Sequence, residues 1–134
     1  MAVSVSDSER DDWGAEDYKA AANVEYKKQS YLKAIDMYST AIGMDSSNVA
    51  YFTNRAAAYM MVKQFENALS DCEVAMRLDP SSVKAYQRAG KAALSLGKVN
   101  LAHDNFSKAL KLDAKNQNIS KDVCLFYCDI SCYV

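Results

Sequence analysis

A period of 34 residues runs through most of this chain and restricts what it can fold into. Ala34, Ala68 and Ala102 stand one period apart, and so do Ala41, Ala75 and Ala109. Ala22, Ala56 and Gly90 repeat a small residue at the same step, while Tyr18, Phe52 and Tyr86 repeat a large one. Met44, Leu78 and Leu112 each precede an aspartate: Asp45, Asp79 and Asp113. Such a period marks stacked supersecondary units, each too small to bury its own apolar face and completed by its neighbours.

Each period predicts two helices. The first, as in 50–62, has large residues at its start and a small one in its middle. A turn follows at Lys63-Gln64 or Gly97-Lys98, then a second helix such as Phe65–Leu78. In that second helix Ala68, Cys72 and Ala75 fall at i, i+4 and i+7, on one face. Small side chains there let helix backbones approach, with Phe52, Tyr59 and Phe65 filling the space between. Pro80 ends the second unit, since proline disfavours helix in the residue before it; Ser46 and Ala114 hold that place in the others. A single proline and four glycines in 134 residues agree with helix throughout. The expectation is an all-α chain. Residues 1–14 form an acidic leader without fixed structure, and three helix-turn-helix repeats occupy 15–48, 49–82 and 83–117. Residues 118–134 form a capping segment, read as a helix docked loosely over about 117–130.

Charge and composition exclude several roles. Six acids and one arginine lie in residues 1–18, which leaves the rest of the chain mildly basic, too weakly to argue for nucleic acid. No apolar run approaches a membrane span, and the first residues are acidic where a signal peptide is basic and then apolar. Of four cysteines, Cys124, Cys128 and Cys132 share a helical stripe. A structural zinc site needs four ligands and usually close cysteine pairs, so these read as apolar residues in a reducing, cytoplasmic or nuclear setting. One histidine, no glycine-rich phosphate loop and no nucleophile–base spacing point away from catalysis, and no cofactor or metal is expected. Asp71 and Glu73 are expected in solvent.

The blocks ANVEYKKQSYLKAIDMYSTAIGMD, NRAAAYMMVKQFENALSDCEVAMRLDP and AGKAALSLGKVNLAHDNFSKALKLD resemble tandem tetratricopeptide repeats over about residues 15–117. The resemblance implies a right-handed superhelix of helix pairs whose first helices line a concave groove. Facing that groove would be Lys19, Asn23 and Tyr26 from the first repeat, and Asn54, Ala57 and Met61 from the second. The third would add Lys84, Arg88, Lys91 and Ser95. Four cations, two amides and no acid favour a carboxylate-rich ligand, because charge-assisted hydrogen bonds strengthen where water is partly excluded.

Within the family, Lys19, Asn23, Asn54, Lys84 and Arg88 match the two-carboxylate clamp of co-chaperone members position for position. The resemblance implies that these five bind the free C-terminus of seventy- and ninety-kilodalton heat-shock chaperones, which ends Glu-Glu-Val-Asp. Lys19, Asn23 and Asn54 would hold the terminal carboxylate, Lys84 and Arg88 the aspartate side chain and nearby backbone. Tyr26, Met61 and Lys91 would contact residues upstream. The similarity is greatest to the repeats of co-chaperones that carry a J-domain and of small glutamine-rich ones. The His-Pro-Asp of a J-domain is absent from this sequence, so stimulation of a chaperone ATPase is not implied. The expected role is a monomeric co-chaperone adaptor. The competing reading is a general scaffold whose groove holds an internal partner segment; RNA binding through Lys84, Arg88 and Lys91 is a third.

Overall fold

In a computed structural model of the chain, residues 12–113 and Lys121 are described. The leader up to residue 11, the capping segment apart from Lys121, and Cys124, Cys128 and Cys132 lie outside them. The described part is helical: α1 (Ala15–Lys27), α2 (Tyr31–Met44), α3 (Val49–Met61), α4 (Phe65–Leu78), α5 (Val83–Ser95) and α6 (Val99–Leu112). The helix α4 has the bounds expected of it, and α3 begins one residue earlier than expected. Each helix packs on the next in sequence, and α3 also reaches α5. The result is three helix pairs in line, with α1, α3 and α5 forming one layer.

The turn inside each pair is built alike. Gln29, Lys63 and Gly97, one period apart, take φ of 66°, 62° and 77°. Around them the amide of Gln64 bonds the Tyr59 carbonyl and that of Lys63 bonds Met60, with the same two bonds repeated in the other pairs. This is the Schellman ending, which satisfies helix carbonyls that would otherwise face solvent unpaired. Between pairs, the Asp45 carboxylate accepts from the amide and hydroxyl of Ser47, and Asp79 does the same for Ser81. Those bonds hold both carboxyls below the usual aspartate range.

The repeating alanines are where the helices touch. Ala22, Ala34, Ala41, Ala56, Ala68, Ala75, Ala102 and Ala109 are fully buried, as is Cys72. At Gly90 the contact is closest: a Cβ added there would stand 2.7 Å from the Phe106 ring. Ala22 and Ala56 hold that position in the first two repeats, and in the third the missing methyl lets the Phe106 ring lie directly against the α5 backbone.

Asp71 departs from expectation. It is buried at 5% exposure, because Arg55 of α3 meets it with a two-pronged ion pair, Nε to Oδ2 at 2.7 Å and Nη2 to Oδ1 at 2.6 Å. A buried carboxylate is tolerated when a charged, hydrogen-bonded partner compensates its lost hydration. Glu73, on the next face, is exposed as expected.

Candidate functional site

Asn23, Asn54 and Arg88, three of the five expected clamp residues, line a single cavity of about 120 Å³ together with Tyr26, Tyr38 and Ala57. They come from α1, α3 and α5, one from each repeat. The register between repeats brings them together: Arg88 Nη1 donates to the Thr53 carbonyl at 2.7 Å, a link of one period plus one residue. Glu16 and Tyr51 make the equivalent link between the first two repeats, hydroxyl to carboxylate at 2.7 Å. These bonds fix the spacing of α1, α3 and α5, and with it the width of the cavity.

The cavity lining holds a cation, two amides, two phenols and no carboxylate. Water occupies about 30 Å³ per molecule in the liquid, so the space suits a few waters or one small anionic group. An anion entering it would meet the Arg88 guanidinium and the amide donors of the asparagines in a partly enclosed setting, where such bonds are stronger than in bulk water.

The other two residues expected in the clamp lie outside this lining. Lys19, one turn before Asn23 on α1, pairs with Glu16 at 2.6 Å. The lysine side chain is 28% exposed and the glutamate 64%. Glu16, whose carboxyl the lysine and Tyr51 hold below the usual range, is an acid beside the groove that the expected residue set did not contain. Its spacing, i to i+3 from Lys19 on one helix, is the signal that could have found it. Lys84 is exposed in the first turn of α5.

Of the accessory residues, Tyr26 has two roles at once. It lines the cavity, and it packs against the cluster of Ala22, Ala34, Tyr38 and Ala58 and edge-on to Tyr31, with ring centroids 5.3 Å apart. Met61, at the end of α3, is 50% exposed and not in the cavity lining, and Lys91 is exposed on α5. Ser95 turns back on its own helix, its hydroxyl donating to the Lys91 carbonyl at 3.0 Å.

Tyr38 is the site residue that sequence reasoning missed. It sits on α2, a helix expected to form the outer layer, yet its hydroxyl donates to the Asn23 Oδ1. Burial, at 2% exposure, pushes the phenol up to about 12, with the Arg88 charge opposing that shift weakly.

No cluster of metal-ligating side chains occurs among the described residues, and no described helix is long and apolar enough to cross a membrane. The Cys72 thiol is buried and likewise pushed up to about 12 by desolvation, which suppresses the reactive thiolate.

Comparison with known proteins agrees with the repeat. The tetratricopeptide repeat family profile matches residues 83–116. The mouse DnaJ homolog subfamily C member 7 is 41% identical over 108 residues, covering 81% of this chain and 22% of that protein. The chain thus spans about a fifth of the length of this relative. Among solved structures, the first TPR of Spaghetti (RPAP3), bound to the HSP90 peptide SRMEEVD, superposes with a TM-score of 0.84 at 30% identity. That match covers 97% of this chain and 99% of the other. The second TPR domain of human RPAP3, in complex with the HSP70 peptide SGPTIEEVD, gives a TM-score of 0.81 at 34% identity over 84% of this chain and 94% of that one.

Proposed function

Because the chain belongs to the tetratricopeptide repeat family, we propose that it is an adaptor whose groove captures the C-terminal Glu-Glu-Val-Asp-type tail of heat-shock chaperones. The observation that carries this reading is the convergence of Asn23, Asn54 and Arg88, one from each repeat, on a single cavity without an acid in its lining. The similar domains bound to SRMEEVD and SGPTIEEVD support the choice of ligand. A chain end of this kind carries two carboxylates on one residue, the main-chain group and the aspartate side chain. Asn23 and Asn54 hold the terminal carboxylate as donors, with Lys19 adding a point charge. Lys84 and Arg88 take the side-chain carboxylate and neighbouring backbone, Arg88 as a planar fork. Tyr26, Met61 and Lys91 touch the residues before the end and set which chaperone is preferred. Lys19 is shared with Glu16, so the ligand gains less from it than from a free lysine.

The role is binding and not catalysis, in the cytoplasm where these chaperones work. Affinity is set against the entropy lost on ordering a short flexible peptide, and is on the order of micromolar. It falls as salt rises, because screening weakens the charge pairs. Titration calorimetry with a peptide ending Glu-Glu-Val-Asp tests the reading against the same peptide carrying a C-terminal carboxamide. The free acid binds and the carboxamide does not. Equal binding of both would favour the scaffold reading, in which an internal segment occupies the groove; binding of RNA alone would defeat both.

A further inference from the structure

An asparagine side chain offers two donors on one side and an acceptor on the other, and only the donor side suits an anion. At the cavity, something must decide which side Asn23 presents. The Tyr38 hydroxyl, reaching across from α2, donates to Asn23 Oδ1, which leaves the Nδ2 group as what Asn23 offers to a ligand.

A buried tyrosine usually finds some partner for its hydroxyl, so the bond alone would be ordinary. Three observations set this one apart. Its partner is a lining residue of the cavity, and Tyr38 itself lines the same cavity. The residues one and two periods later, Cys72 and Phe106, are buried without any hydroxyl, so packing in this column does not require one. From α5, Arg88 is likewise tethered to the Thr53 carbonyl, so lining donors from α1 and from α5 are each held by a bond to the protein.

We propose that Tyr38 is a positioning residue for anion recognition: its hydroxyl locks the Asn23 amide with the NH2 group toward the cavity. The site then takes an ionised carboxylate and rejects a chain end that itself carries donors, such as a carboxamide. Without the lock, Asn23 can turn its oxygen inward, which weakens the hold on an anion and gives a carboxamide an acceptor. The inference rests on the carboxylate-binding reading above and adds the residue that sets its selectivity.

The test uses Tyr38→Phe in the full chain, alone and combined with Asn23→Ala. Phenylalanine already fills this column at Phe106, so the variant keeps its packing, and a thermal melt monitors the helices. Calorimetry with free-acid and carboxamide peptides ending Glu-Glu-Val-Asp then reads two quantities. Tyr38→Phe weakens the free acid roughly fivefold, the worth of a hydrogen bond of about 1 kcal/mol, and narrows the ratio between the two peptides. In the Asn23→Ala background the same change has no further effect, which a general structural role would not give. Free-acid affinity unchanged in Tyr38→Phe, or an equal loss in both backgrounds, overturns the assignment of Tyr38 while leaving the carboxylate reading in place. A wild-type chain that binds both peptides equally, or neither, overturns that reading and this inference with it.

Discussion

Arg55 and Arg88 are both half-buried on neighbouring helices of the same layer, and they are used in opposite ways. Arg55 is closed: Asp71 takes Nε and Nη2, the Ser39 hydroxyl accepts from Nη1 at 3.0 Å, and the rings of Phe52 and Tyr59 lie 5.9 and 5.7 Å from its centre. It joins α2, α3 and α4, with each of its three nitrogens bonded within the chain. Among the described residues Arg88 donates to one backbone carbonyl, and it lines a cavity it shares with two asparagines. An arginine whose fork is fully met by its own chain belongs to the fold. One held at a single point beside a polar cavity is available to a partner.

The sharpest way to break that contrast is to remove the partner of the closed arginine. Asp71→Ala leaves a guanidinium in the interior without its counter-charge, which costs about 3 kcal/mol of stability. Urea melts measure it. The corresponding residue pairs are Ala21 with Met37 in the first repeat and Ala89 with Asn105 in the third, so this ion pair is not needed by the repeat as such. The double variant Arg55→Ala with Asp71→Met, which copies the first repeat, therefore recovers much of the loss. If Asp71→Ala melts like the wild type, Arg55 is not the closed residue described here.

Arg88→Ala reverses the pattern. It removes about 1–3 kcal/mol of binding to a free-acid chaperone-tail peptide while the melt stays within a few degrees of wild type. Loss of stability without loss of affinity would place Arg88 with Arg55 and leave the groove without its fork.

A smaller effect probes how the third repeat departs from the first two beneath Arg88. Gly90→Ala drives a Cβ into the Phe106 ring, an overpacking cost of about 1–3 kcal/mol, partly offset by roughly 1 kcal/mol gained in helix propensity. Adding Phe106→Cys reproduces the Ala56 and Cys72 pair of the second repeat and relieves the clash. Denaturant melts of the single and double variants separate the two contributions. A single variant as stable as the wild type would mean that Phe106 has somewhere else to go.

The helices were legible in the sequence because the 34-residue columns of alanines report helix contacts directly, and those contacts recur. Asn23, Asn54 and Arg88 are singled out in the sequence because they match the family's pattern and flank the large and small core residues of each first helix, and they line one cavity. What does not repeat was harder to read. Arg55 and Asp71 are 16 residues apart across a turn and fall in columns that otherwise hold alanine, methionine and asparagine, so a lone carboxylate there looked like a solvent residue. Tyr38 shares its column with Cys72 and Phe106, which carry no hydroxyl, and its own hydroxyl matters only through a neighbour 15 residues earlier on another helix. Glu16 beside Lys19 was within reach of helical spacing and shows that a lysine expected to meet a ligand can have an internal rival.

The turns give the last and smallest contrast between equivalent places. Gly97 takes its left-handed backbone without a Cβ, whereas Lys63 and Gln29 take the same conformation with one. A left-handed residue other than glycine is strained by about 1–2 kcal/mol, and part of that relief is cancelled by the greater freedom glycine has in the unfolded chain. Lys63→Gly therefore stabilises the second repeat by about 0.5–1 kcal/mol, seen as a small rise in Tm with peptide affinity unchanged. The reciprocal Gly97→Lys lowers stability by a similar amount. If both substitutions shift Tm downward, side-chain contacts of Lys63 outweigh its backbone strain, and the three turns are equal in hydrogen bonding but not in what holds them.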